Sequence, residues 1–150
     1  GAPLMKESDC WGLVVNDLWK QVVVDKQIKL LSDDSIVRDY LSVSDICHTI
    51  MKITSSDDIL EAMKGEIINI TNGNSMSLRE ISDLIARRSE VVLGYYPDIK
   101  HYGENKKCSS QKLVISNKKA QSIGLTLDSD LSIEIDRLLI KSKKWFGVIE

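Results

Sequence analysis

A tyrosine and a lysine four residues apart have types and spacing that could do chemistry. On a helix, Lys100 would lie one turn from Tyr96 and would lower the pKa of its phenol, as in a catalytic dyad. Pro97 follows the tyrosine directly, however, and the residue before a proline is pushed into extended geometry. We therefore expect the spacing to be a coincidence and neither residue to be catalytic.

The acidic pairs and the two histidines give no stronger signal. The aspartates at positions 33–34 and 57–58 are adjacent in sequence, so their carboxylates do not converge as a general acid and base must, and we expect solvated turns. His48 has no second His or Cys at metal-binding spacing, and His101 lies in a polar stretch. The sequence thus predicts no catalytic residue and no metal site.

The glycines are scattered, and no G-x-G-x-x-G follows a strand and opens a helix. A dinucleotide pyrophosphate therefore has no cradle in the sequence, and we expect this chain alone not to bind NAD. The sequence also lacks a G-x-S-x-G nucleophile turn.

Composition narrows the class of protein. A formal net charge of −2 over 150 residues gives no general field for nucleic acid or an anionic membrane, so any anionic ligand must be held by a few local cations. No apolar run approaches the ~18 residues that span a bilayer. The three cysteines are odd in number and far apart, which argues against disulfides and a zinc knuckle and favours a cytoplasmic protein.

Periodicity predicts the elements that must position any site. Helical spacing of apolar residues predicts long helices over 11–22 (capped by Ser8-Asp9), 44–53 (capped by Ser44), 78–88 and 131–145, with short ones before Gly65 and over 117–123. Alternation and short apolar runs predict strands over 28–31, 36–43, 67–70 and 91–96, and a polar loop over 98–111. Helices and strands alternate, so the fold class is α/β, or α+β-like as a fragment.

The helix from Leu78 has the clearest local signal. Ser77 and Glu80 have the spacing of a capping box, in which each side chain accepts a hydrogen bond from the other residue's backbone amide. The sequence therefore predicts a helix that begins at Leu78.

Three segments in order carry a family resemblance. The first, 27–46, is a strand and an acidic turn followed by Arg-Asp-Tyr-Leu-Ser-Val-Ser-Asp-Ile. The second, 68–81, is a strand ending in Asn-Gly with a Ser-headed helix, and the third, 117–125, contains Lys-Ala and Gly-Leu. With the opening Gly-Ala-Pro and the Lys-Trp-Phe near the end, they resemble the C-terminal half of the extended short-chain dehydrogenase/reductases, the nucleotide-sugar epimerases and 4,6-dehydratases.

The resemblance implies a domain organisation. Residues 1–150 would be the C-terminal, substrate-binding half of such an enzyme, with late elements of a Rossmann-type domain at 43–53 and 67–71, and without the N-terminal NAD-binding part. The parent would be a cytoplasmic NAD-dependent epimerase or dehydratase of polysaccharide biosynthesis, an isomerase or lyase, and this chain would not be catalytic by itself.

Two residues are expected, by the resemblance, to bind the nucleotide-diphosphate sugar. Arg38 stands at the family's Arg-Asp-aromatic position, and Lys112 is the nearest equivalent of a family arginine that contacts a ligand phosphate. The third segment and the residue before it depart from the family pattern, with Ser116 in place of Asp and Lys118 in place of Ser.

The alternative is a stand-alone, non-enzymatic module that binds a nucleotide or a partner. In that interpretation Arg38 forms an ion pair with Asp34 or Asp39. Under the family interpretation, the helix at 44–53 and the strand at 67–71 would expose apolar faces, so we expect self-association or a homodimer.

Overall fold

A computed structural model of the chain describes residues 5–7, 10–103 and 114–147, and within them helices outnumber strands. The helices are α1 (Val14–Asp25), α2 (Val43–Thr54), α3 (Asp57–Met63), α4 (Leu78–Leu93), α5 (Lys118–Ser122) and α6 (Leu131–Phe146). The strands are β1 (Gln27–Leu30), β2 (Val37–Arg38), β3 (Met76–Ser77) and β4 (Asp98–His101). The predicted α/β class is confirmed.

The strands form two small sheets. β1 and β4 are parallel, with Gln27 opposite Asp98 and Leu30 opposite His101. β2 and β3 are antiparallel, and Arg38 lies opposite Met76. The second sheet therefore joins the start of α4 to the segment that leads into α2.

The core lies where α1, α4 and α6 pack together over β1. Each of the three helices buries a pair of apolar residues at i and i+4, the spacing that places both on one helix face. These pairs are Leu18 and Val22, Ile81 and Ile85, and Ile135 and Leu139. Ile28 and Leu30 of β1 complete the same cluster.

The capping box at the start of α4 is confirmed. The Ser77 hydroxyl accepts from the Glu80 amide at 3.1 Å, and the Glu80 carboxylate accepts from the Ser77 amide at 2.7 Å. The helix then continues to Leu93 and ends at Gly94, whose φ of 83° is the left-handed conformation that glycine adopts without strain. The predicted strand over 91–96 is therefore wrong: the apolar run there is the last turn of α4 and the chain just after it.

The polar loop predicted over 98–111 is wrong for residues 98–101, which form β4. The neighbouring strand explains this, because β1 supplies the backbone partners that the local sequence does not reveal. The Asp98 amide donates to Lys26 at 3.3 Å, and the Tyr102 amide donates to Leu30 at 2.8 Å. Residues 104–111 lie outside the described part of the chain.

Other predicted helix and strand boundaries also differ from those in the structure. The first helix begins at Val14, after an N-cap at Leu13, so the predicted cap at Ser8-Asp9 is wrong; those two residues lie outside the described part. Ser42, not Ser44, caps α2 by accepting from the Asp45 amide. The alternating stretch forms only the two residues of β2. The short helices before Gly65 and Gly124 are confirmed as α3 and α5.

The strand predicted over 67–70 does not form. Ile67 is 88% exposed, and no strand of the described residues lies beside it. An isolated extended segment has no partner for its backbone amides, so apolar composition alone does not make it a strand.

Polar contacts fasten α2 to the rest of the fold. Asp45 accepts from the Ser129 amide at 3.1 Å, and the Ser44 hydroxyl donates to Glu134 at 3.0 Å. Apolar residues on the same helix are exposed to solvent, namely Val43, Ile46, Ile50 and Met51. Within the described residues, no helix is both long and apolar enough to cross a membrane.

Candidate functional site

The carboxylate of Asp39 holds a turn that is distant in sequence. It accepts from the backbone amides of Asn72 at 3.1 Å and Gly73 at 3.2 Å, and from the hydroxyl of Thr71. Gly73 has a φ of 72°, which suits a glycine at this position. Asp39 thus takes the place of a partner strand for this part of the backbone.

Asn117 approaches the same turn from a third direction. Its side-chain amide donates to the Thr71 carbonyl at 3.4 Å, and a Cβ on Gly73 would lie only 3.2 Å from that amide nitrogen. Glycine is therefore favoured here by both φ and space. The three segments that carry the family resemblance meet at the Thr71–Gly73 turn.

The backbone of Arg38 is held on both sides. Opposite β2 lies β3, and the amides of Leu78 and Arg79 donate to the carbonyls of Ile36 and Asp34, each at 2.9 Å. On the other side Asp39 fixes the chain to the turn. The position from which the Arg38 side chain extends is thereby defined.

The guanidinium of Arg38 is exposed and is not used by an ion pair. Its Nη1 donates to the carbonyl of Val37 at 2.9 Å, and no carboxylate of the described residues lies within salt-bridge distance. The alternative ion pair with Asp34 or Asp39 is wrong, because Asp39 binds the turn and Asp34 binds other partners. The other N–H donors of the Arg38 guanidinium have no partner among the described residues.

Tyr40 lies close to Arg38. Burial raises the pKa of its phenol, and the positive charge of Arg38 partly opposes that rise. Tyr40 therefore stays protonated near neutral pH, as a half-buried ring beside an exposed guanidinium.

Asp34 joins the start of α4 to the end of β4. Its carboxylate lies 2.7 Å from Nη2 of Arg79 and 2.7 Å from Nδ1 of His101, and Asp34 is only 6% exposed. The expectation of a solvated turn is wrong for Asp34, and His101 is a strand residue. The sequence alone does not predict that these three side chains meet, because 67 residues separate the aspartate from the histidine.

Asp33 lies in the turn as expected. Hydrogen bonds from the Ser35 hydroxyl, at 2.6 Å, and then from its backbone amide, at 2.9 Å, lower the pKa of the Asp33 carboxyl. The aspartates at 57–58 are exposed in the first turn of α3. Neither pair presents two converging carboxylates.

A groove of about 560 Å³ lies beside the β2–β3 ladder. Val37 and Met76 form one side, and Asp83 and Arg87 of α4 belong to its lining. Since Met76 is the ladder partner of Arg38, the groove and the free guanidinium are at the same small sheet.

The remaining predicted site residues lie apart from Arg38 or outside the described chain. Tyr96 precedes β4 and Lys100 lies within it, so a strand and not one helical turn joins them, and Lys100 pairs with Asp98 at 3.7 Å. Lys112 lies outside the described residues. His48 is exposed on α2, and no three metal-ligating side chains come together in the part of the chain that the structure describes.

The glycines with positive φ among the described residues lie after helices or in a turn. Glycines with positive φ follow helix ends at positions 65, 94 and 124, and Gly73 lies in the turn held by Asp39. A pyrophosphate cradle needs glycine at the start of a helix, where backbone amides are free to donate. None of these four glycines supplies that arrangement.

Comparisons with solved structures define the fold. Over 89% of its length the chain matches RMD from Pseudomonas aeruginosa complexed with NADPH, with a TM-score of 0.67 and 16% identity. It matches UDP-glucuronic acid 4-epimerase from Bacillus cereus, in complex with UDP-glucuronic acid and NAD, with a TM-score of 0.65 and 17% identity over 89% of its length. GDP-mannoheptose C4 reductase from Campylobacter jejuni with NADP matches over 93%, with a TM-score of 0.63 and 13% identity.

The resemblance inferred from the sequence is confirmed at the level of fold. The matching structures are NAD(P)-dependent extended short-chain dehydrogenase/reductases, and the chain has the fold of a C-terminal part of them. It spans less than half of each, namely 43%, 40% and 46% of their chains. No family model and no curated protein matches the sequence.

Proposed function

We propose that this chain is the nucleotide-sugar-binding part of an NAD(P)-dependent epimerase, dehydratase or reductase. The free, exposed guanidinium of Arg38 carries the proposal, because its backbone is fixed by β3 on one side and by Asp39 on the other. A planar guanidinium donates two parallel hydrogen bonds to phosphate oxygens, and a fixed position reduces the entropy lost on binding.

Structural neighbours supply the ligand class. The Bacillus cereus epimerase was solved with UDP-glucuronic acid, a sugar joined to a nucleoside through a diphosphate. By analogy with this epimerase, Arg38 binds the diphosphate of a nucleotide sugar, and Lys112 makes a second phosphate contact. Tyr40 packs its ring against the core and so helps to hold the segment that carries Arg38.

The oxidation chemistry belongs to another part of the enzyme. NAD or NADP would supply hydride transfer in the whole enzyme, and matching solved structures contain one or the other. We propose that residues 1–150 orient the sugar and that a separate Rossmann-type portion holds the cofactor and the acid-base groups. The whole protein would be cytoplasmic.

Calorimetry of the 150-residue chain with UDP-linked and GDP-linked sugars tests the proposal. Hydrogen bonds to charged groups contribute about 1.5–3 kcal/mol, so Arg38→Ala should weaken binding by roughly ten- to a hundredfold. Arg38→Lys keeps the positive charge but cannot donate two parallel hydrogen bonds, so it should restore only part of the lost affinity.

Lys64→Ala is the control for the loss of one exposed positive charge. Lys64 makes only an exposed pair with Glu61 at the end of α3, and its removal should leave affinity unchanged. Equal affinity in the parent and in Arg38→Ala, or no binding of any nucleotide-diphosphate sugar to the parent, would contradict the proposal. A fall in melting temperature without a change in affinity would make Arg38 a structural residue.

A further inference from the structure

A second pocket lies on the core side of the segment that follows Arg38. It has a volume of about 230 Å³ and lies between α1, α4, α6 and residues 39–42. Its walls are mainly apolar: the ring of Tyr40 lines it together with the aliphatic residues Val15, Leu41, Ile81, Leu131, Ile135 and Leu138. No part of the proposed nucleotide-sugar site requires this space.

Trp19 gives the pocket an unused hydrogen-bond donor. The residue is 5% exposed and lines the pocket, and its indole Nε1 has no hydrogen-bond partner in the described part of the molecule. A buried N–H without a partner is unfavourable, so the fold retains an unfavourable group in Trp19. An acceptor that entered the pocket would remove that cost.

Apart from Trp19, five residues with polar side-chain atoms line the pocket, and four of them are already engaged; the fifth, Tyr40, packs its partly buried ring against the core. Asn16 donates to a backbone carbonyl, the Ser42 hydroxyl donates to a carboxylate, and the carboxylates of Asp39 and Glu134 each accept hydrogen bonds. Their partners are Cys10, Asp45, Gly73, Ser44 and Arg137.

Size and chemistry define the ligand class. An aliphatic cavity of about 150 Å³ stays dry and accepts benzene, so a pocket of this volume has room for one ring with substituents. We propose that it binds a small, uncharged, one-ring molecule that carries a hydrogen-bond acceptor, with the acceptor facing the indole N–H of Trp19 and the ring against Ile81 and Leu138.

Pyridine and benzene are matched probes, because they have nearly the same shape and only pyridine has an acceptor. Each is titrated into the 150-residue chain at mildly alkaline pH, where pyridine is uncharged, and the methyl resonances are followed by NMR. Both should bind saturably, and nuclear Overhauser contacts should join the probe to the methyl groups of Ile81 and Leu138, which line the pocket.

Trp19→Phe removes the indole N–H donor but keeps an aromatic ring at the pocket wall. The ratio of pyridine affinity to benzene affinity should fall about fivefold in this variant, which corresponds to the loss of one neutral hydrogen bond. Trp145→Phe is the matched control, since Trp145 packs against Trp11 on the surface and does not line the pocket. Its affinity ratio should equal that of the parent.

Leu131→Phe fills the pocket and tests the location independently of Trp19. Both probes should then bind at least tenfold more weakly, and a melting temperature at or above that of the parent would show that the fold is intact. The proposal is overturned if neither probe binds saturably to the parent, if the contacts map elsewhere, or if Trp19→Phe leaves the affinity ratio unchanged.

Discussion

The carboxylate of Asp39 accepts a hydrogen bond from the backbone amide of Gly73 at 3.2 Å, although 34 residues separate the two along the chain. This contact lets one side chain organise a turn that no strand of the described residues supports. It also explains why Arg38, the adjacent residue, has a fixed backbone and a free side chain.

Asp39→Ala should destabilise the chain. Asp39 accepts from two backbone amides and one hydroxyl, and hydrogen bonds to charged groups contribute about 1.5–3 kcal/mol, so we expect the free energy of unfolding to fall by about 2–3 kcal/mol. Urea unfolding measures this change. Glu90→Ala, which removes an exposed carboxylate on α4, should stay within about 0.5 kcal/mol of the parent. Equal effects of the two substitutions would show that the Asp39 contacts contribute nothing.

Some local signals predicted local structure, although the helix caps predicted at Ser8-Asp9 and Ser44 were wrong. The capping box and the glycines that follow α3 and α5 act within a few residues of chain, and each feature appears where the sequence indicates it. The strand predicted over 91–96 was wrong because a run of three apolar residues, 91–93, does not distinguish a strand from the last turn of a helix.

Features that depend on distant partners could not be predicted in the same way. β4 exists because β1 lies beside it, and the isoleucines at 67–70 lack such a neighbour. The bonds from Asp34 to Arg79 and His101 likewise join parts of the chain that only the fold brings together.

Tyr95 should make the fold sensitive to alkali. Burial raises the pKa of its phenol, and its hydroxyl donates to the Val22 carbonyl at 2.7 Å. Because the folded-state pKa lies above the unfolded value of about 10, this contribution to stability is fully present below about pH 10 and is lost as the pH rises through the folded pKa.

Melting temperatures measured from neutral to strongly alkaline pH check this prediction. Tyr95→Phe has no phenol to ionise, so its melting temperature should fall less steeply than that of the parent above about pH 10. Parallel curves for the two proteins would mean that Tyr95 does not couple ionisation to folding.

NAD should not bind measurably to this chain. The sequence has no G-x-G-x-x-G that follows a strand and opens a helix, and a dinucleotide gains affinity from such a helix N-terminus and from a ribose-binding acid after the next strand. Calorimetry of the 150-residue chain with NAD and with NADP measures this directly. A saturable dissociation constant in the low micromolar range for either cofactor would contradict the prediction and would place a dinucleotide site in this chain.

The exposed apolar face of α2 should make the isolated chain self-associate. Ile46, Ile50 and Met51 are exposed on this helix, and contiguous apolar surface of this kind drives association because its burial removes it from water. Light scattering across a concentration series should therefore show oligomers, and the double substitution Ile50→Lys and Met51→Lys should shift the population towards monomer. Val91→Lys is the matched control, because it makes the same kind of change at an exposed residue of α4 and should leave association unchanged. A parent chain that remains monomeric at every concentration would show that this face needs no partner.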